Sequence, residues 1–144
     1  MENSKPISAT DDSAKRLMMD ALNGENTGGF DLDSVYFING QYIVIEFLKC
    51  DSPYPSVTPF TSHPNRYWFN KQKFISLWNA TQKLDGRLFL LNYEEPYNRF
   101  RCMEVTSLDP QKGIVNTDAK WTYEQFKKWF IALNHHNFIE IDRI

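Results

Sequence analysis

The chain has 144 residues, 42% hydrophobic and 24% charged, with a formal net charge of −2, enough for one domain with its own core and too few for two ordinary ones. No apolar run approaches the ~18–20 residues of a membrane span, and MENSKPISATDDSAKR at the N-terminus lacks the apolar core of a secretory signal. Two cysteines, Cys50 and Cys102, make neither a disulfide framework nor a zinc cluster, which points to a reduced, cytoplasmic setting.

Residues 1–9 read as a flexible tail and 10–144 as a single domain. Thr10 is placed to cap a helix running to about Leu22, which Asn23-Gly24 stops. Phe30–Ile38 and Gln41–Cys50 are rich in Val, Ile, Tyr and Phe and are split by Asn39-Gly40. That pattern predicts a two-residue hairpin, since a type I′ turn needs positive φ at both central positions. DSPYPSVTPFTSHPNR, residues 51–66, carries four prolines and reads as a loop. A helix follows over Asn65–Leu84, with Phe74, Leu77, Trp78, Thr81 and Leu84 at helical spacing. Leu88–Asn92 is a continuous apolar run, the pattern of a strand covered on both faces. Arg99–Thr106 reads as a further strand. Thr122 and Gln125 form a capping box opening a helix with Phe126, Trp129, Phe130 and Leu133 on one face. Phe138–Ile141 reads as a last short strand. The order α-β-β-α-β-β-α predicts an α/β sandwich with a mixed β-sheet flanked by helices.

Charge is placed unevenly: residues 1–64 hold nine acids against four bases, and 65–144 hold twelve bases against nine acids. An acidic first half beside a basic second half fits a metal site next to an anion-binding surface. The predicted turn sharpens this. With Asn39 and Gly40 as its centre, facing residue numbers sum to 79, so Asp33 faces Glu46. Opposed side chains lie ~4.5–5.5 Å apart on one face, where two like charges repel. Glu46 also stands in the otherwise apolar Ile43-Val44-Ile45-Glu46-Phe47-Leu48, where a carboxylate needs a partner. A divalent cation taking one or two carboxylates and several waters answers both needs. Lys49 is the candidate positive group for positioning water there. Alternation puts it on the face opposite Glu46, so this role requires a β-bulge between them. The loop supplies Tyr54, Phe60, His63 and Arg66 as candidates for stacking on bases and meeting phosphates, and Lys71 and Lys73 follow as further candidate nucleic-acid contacts. His135-His136 suits a helix end better than zinc.

Acid on one strand, acid on the next and a lysine soon after resembles the PD-(D/E)XK nuclease superfamily, the restriction-endonuclease-like fold, and in particular the core of RecB-type nucleases. The matching segment runs from Asp33 to Lys49, and the α-β-β-α-β order over about residues 11–92 is similar to the common core of that superfamily. Leu48 stands where the family's lysine does, with Lys49 one place later. The resemblance implies a metal-dependent nuclease that hydrolyses phosphodiester bonds in DNA. Asp33 and Glu46 would hold Mg2+ or Mn2+, and Lys49 would orient or help deprotonate a water. It also implies auxiliary residues: Glu25 or Asp20 from the first helix and Gln72 or Lys73 from the helix after the hairpin, with Asp31 as a spare ligand. Expected partners are DNA and a second copy of the chain or a larger nucleoprotein complex, with no membrane. Two rival readings are a nuclease-like fold without catalysis, acting as a nucleic-acid-binding or assembly subunit, and a small α/β interaction protein without a site. The last predicts that Asp33 and Glu46 stand far apart or on opposite faces.

Overall fold

The structure, a computed structural model, describes residues 13–26 and 28–144. It divides the chain into two compact units, residues 1–30 and 31–144. The first holds helix α1, Ser13–Leu22, which ends where Asn23 and Gly24 turn to positive φ of 47° and 88°. The tail expected at residues 1–9 and the cap expected at Thr10 lie outside the described residues.

The second unit is built on a five-stranded mixed sheet in the order β1-β2-β3-β4-β5. Strand β1 (Ser34–Ile38) turns into β2 (Gln41–Lys49) through Asn39 and Gly40. Their φ values of 50° and 80° are the conformation in which asparagine and glycine cost least. The pairing runs from Ile38↔Gln41 to Ser34↔Ile45, the register the turn dictates. Strand β1 starts at Ser34 rather than Phe30.

The predicted helix over 65–84 is two pieces. A 3-10 segment spans Pro64–Asn70, and helix α2 spans Lys71–Lys83. Tyr67 separates them with a non-helical backbone (φ −127°, ψ 48°). Asp85, at φ 53°, closes α2 in the left-handed conformation. The chain then enters β3 (Arg87–Tyr93), parallel to β2. Parallel pairing needs a crossover, and α2 supplies it. Strand β4 (Phe100–Asp109) lies antiparallel to β3.

Strand β5 (Gly113–Trp121), antiparallel to β4, has no counterpart among the predicted elements. Its turn is built by Asp109, whose Oδ1 accepts from the N–H groups of Gln111 and Lys112 at 2.8 and 2.9 Å. Helix α3 (Tyr123–Asn134) opens with the predicted capping box, Thr122 and Gln125 bonding reciprocally. The segment expected as a last strand, Phe138–Ile141, is irregular and leads into a 3-10 turn at Ile141–Arg143.

Each sheet face has its own core. On one, Val44, Leu88, Leu90 and Met103 meet Phe74 and Leu77 of α2. On the other, Ile43, Ile45, Phe89, Leu91 and Cys102 meet Trp129 and Leu133 of α3. The five central residues of β3, Leu88–Asn92, are all buried, the outcome predicted for a strand covered on both sides. Both cysteines are free. Among the described residues no helix is long and apolar enough to cross a membrane.

Candidate metal-binding site at the β1–β2 hairpin

Alternation along β2 sends Val44, Glu46 and Leu48 to the face that α2 covers, so Glu46 enters a core of Val44, Phe74 and Leu90. It is 4% exposed. Its Oε1 lies 2.7 Å from Nζ of Lys73, in the first turn of α2. Its Oε2 is buried with no hydrogen-bond partner among the described residues. An unsatisfied buried carboxylate oxygen is costly.

Asp33 stands one residue before β1 and continues the register that sets it opposite Glu46. Its Oδ2 accepts a 2.9 Å bond from the N–H of Phe47. The side chain thus takes over where the backbone ladder stops, and this bond orients the carboxylate. Asp33 is exposed, so the pair is open to solvent on that side. Burial pushes the Glu46 carboxyl above its ordinary value, the Lys73 ammonium pulls it back, and Asp33 raises it again, by its charge and by a hydrogen bond that it accepts from the protonated Glu46 carboxyl.

Lys49 does not join this pair. The β2–β3 pairing runs without a shift from Ile43↔Arg87 to Lys49↔Tyr93, so the bulge that its role required is absent. Its ammonium lies 3.4 Å from Oε2 of Glu95, and that carboxylate raises its pKa. The positive group at Glu46 is Lys73, which the sequence suggests as an auxiliary and as a nucleic-acid contact. Helix α2 lies on the same face of the sheet as Glu46, so a lysine one residue before the buried Phe74 reaches the carboxylate without any strand distortion.

The other candidates are dispersed. Gln72 bonds Ser76 along its own helix at 3.3 Å. Asp31 and Lys71 are exposed. Asp20 and Glu25 belong to the first unit. Arg66 donates to the Thr61 carbonyl at 3.0 Å. His63 is structural: Nδ1 accepts from Asn65 N–H at 3.1 Å, and Nε2 meets Asn116 Oδ1 at 2.7 Å. Phe60 lies under the Lys120 ammonium, 5.6 Å away, and Tyr54 is exposed. His135 caps α3. The proline-rich loop is ordered by two donors, the buried Asn92 to the carbonyls of Pro59 and Ser62 and the half-buried Arg101 to those of Phe60 and Ser62. It borders a cleft of about 190 Å³ lined by Leu48, Cys50, Tyr67 and Asn92 among others.

Among the described residues no group of three or more His, Cys, Asp or Glu side chains is arranged to hold a metal. The donor set is therefore two carboxylates, one with a free buried oxygen. Such a set suits a hard cation that keeps several waters and not a four-ligand zinc site. No family model, no curated protein and no solved structure matches the chain.

Proposed function

We propose that the protein is a metal-dependent nuclease that hydrolyses phosphodiester bonds in DNA on a restriction-endonuclease-like sandwich. One observation carries the reading: the Glu46 carboxylate is buried in an apolar strand with Oε2 unpartnered, beside a second carboxylate and one ammonium. The order α1, β1, β2, α2, β3 supports it as well. Asp33 and Glu46 would hold Mg2+ or Mn2+, and the bound ion supplies an acidified water and neutralises charge on the phosphate.

The chain's own residues then divide the work. Phe47 N–H fixes the Asp33 carboxylate. Lys73 favours the charged form of Glu46 against the pull of burial, which keeps the carboxylate competent to bind a cation. It also brings a positive charge to the mouth of the site, where a phosphate oxygen would arrive. In this assignment Lys73 takes the place of Lys49.

The test is cleavage of plasmid and of labelled oligonucleotides with Mg2+ or Mn2+, paired with calorimetric titration of Mn2+ alone. Wild type cleaves and binds Mn2+. Asp33→Asn and Glu46→Gln lose both. Cleavage that survives both substitutions overturns the reading. The second reading, a nuclease-like subunit that binds without cutting, draws on the fact that Lys73 already neutralises one of the two carboxylates. It predicts DNA binding with no cleavage under any metal.

A further inference from the structure

The 3-10 segment before α2 displays three consecutive aromatic residues in two directions. Tyr67 and Trp68 turn inward, each with its ring centroid 6.2 Å from that of Phe74. The Trp68 indole also donates to the Pro110 carbonyl at 2.9 Å. Phe69, the next residue, is 85% exposed, more than any other large hydrophobic side chain among the described residues. Its backbone is thus clamped while its ring stands in water.

The placement of that ring matters. Lys71 N–H bonds the Trp68 carbonyl in a 3-10 turn, and Asn70, with a non-helical backbone (φ −89°, ψ 16°), caps α2. Phe69 precedes Lys73 by four residues across that cap, and the Lys73 ammonium meets Glu46 at 2.7 Å. Arg66 and Lys71, both exposed, flank it in the chain. An exposed aromatic face with cations close by in the chain matches single-stranded nucleic acid, in which bases offer free π-faces and phosphates meet the cations. A duplex keeps its bases stacked on one another, out of the ring's reach.

We propose that Phe69 is a stacking platform for an unpaired nucleobase, so that the Asp33–Glu46 site works on a single-stranded or locally opened nucleic acid. Phenylalanine has no hydrogen-bonding group, so the platform is tolerant of sequence. The proposal rests on the nuclease reading in that it seats the adjoining phosphate at the acidic pair.

The experiment measures binding in EDTA, where no metal-dependent cleavage takes place. The probes are fluorescein-labelled dT15, a 15-base-pair duplex, and a single strand carrying one 2-aminopurine. Phe69→Ala is expected to weaken single-strand binding about 5–150-fold and to abolish 2-aminopurine quenching. Phe69→Trp is expected to retain both, and duplex binding to change less than single-strand binding. Equal single-strand affinity and quenching for wild type and Phe69→Ala overturns the proposal. So does no single-strand binding by wild type, or a change confined to the oligomeric mass in light scattering, which would make the ring a contact between copies of the chain. Quenching that depends on Phe69, without cleavage under Mg2+ or Mn2+, supports the platform and removes the hydrolase. Cleavage that depends on Glu46 and ignores Phe69 keeps the hydrolase and removes the platform.

Discussion

Replacing Lys73 with Met tests the central electrostatic claim without touching either carboxylate. The substitution keeps most of the side-chain length and removes the charge 2.7 Å from Glu46. At an effective dielectric of ~20, Coulomb's law gives about 6 kcal/mol for two unit charges that close. The Lys73 side chain is 46% exposed, so solvent screening cuts that to about 1–3 kcal/mol. The loss depends on pH. The folded Glu46 carboxyl lies above its ordinary 4.5, so the folded state holds more protons than the unfolded state between the two values. Stability therefore falls as pH rises through that window. Without Lys73 the folded value rises further, the window widens, and the fall is larger. Urea unfolding from pH 4.5 to 8 is expected to show little difference from wild type at the acid end and about 1–3 kcal/mol at pH 8, equivalent to about 2–4 °C in Tm per kcal/mol. In a Glu46→Gln background the same substitution is expected to cost almost nothing. A penalty independent of pH, or one that persists in the Glu46→Gln background, refutes the claim that Lys73 compensates the buried carboxylate.

Lys49→Ala is expected to leave the urea midpoint where wild type has it and cleavage at the wild-type rate, which separates it from Lys73. Arg87 bonds both carboxylate oxygens of Glu104 at 2.7 Å and both of Glu140 at 2.8 and 2.9 Å. Arg87→Met is expected to cost about 2–4 kcal/mol in denaturant unfolding at pH 7. Arg87 holds the Glu140 carboxyl below its ordinary value, so this part of the stability is present above about pH 4.5 and fades as pH falls through the lower folded value. The variant is expected to lack that acid-side decline. Gly113 sits at φ 101° with Asn65 Oδ1 against the place a Cβ would take, and Asn65 brackets Ile114 with two bonds of 2.8 and 3.0 Å. Gly113→Ala is expected to destabilise by about 1–3 kcal/mol and to speed amide exchange at Ile114.

Local chemistry by itself determined much of this protein. Asn39-Gly40 admits one tight turn, and a two-residue turn leaves one register, so the pairing from Ile38↔Gln41 to Ser34↔Ile45, which points residue 33 toward 46, followed from the order of residues around the turn. A glutamate inside an apolar strand declared its own need for a partner, and Thr122 with Gln125 marked a helix start through bonds that close within one turn. Strand β5 escaped because polar residues at four of the nine positions of GIVNTDAKW interrupt its apolar ones, leaving neither a long β-branched run nor the clean alternation of a recognisable strand. The legible signal was Asp109-Pro110 with Gly113, a turn that needs a strand on each side.

Only the tertiary structure decided which lysine meets Glu46. Proximity in sequence favoured Lys49, three residues away, but a straight strand turns successive side chains to opposite faces. A helix laid across the sheet brings Lys73, 27 residues later, to the same carboxylate. It decided Phe69 as well: Tyr67, Trp68 and Phe69 are alike in composition, and the backbone break at Tyr67 sends two rings into the core and leaves the third in water. Turn chemistry and capping act over a few bonds and are written locally. Which side chains converge across elements depends on how the crossover helix settles on its sheet face, and that is a property of packing.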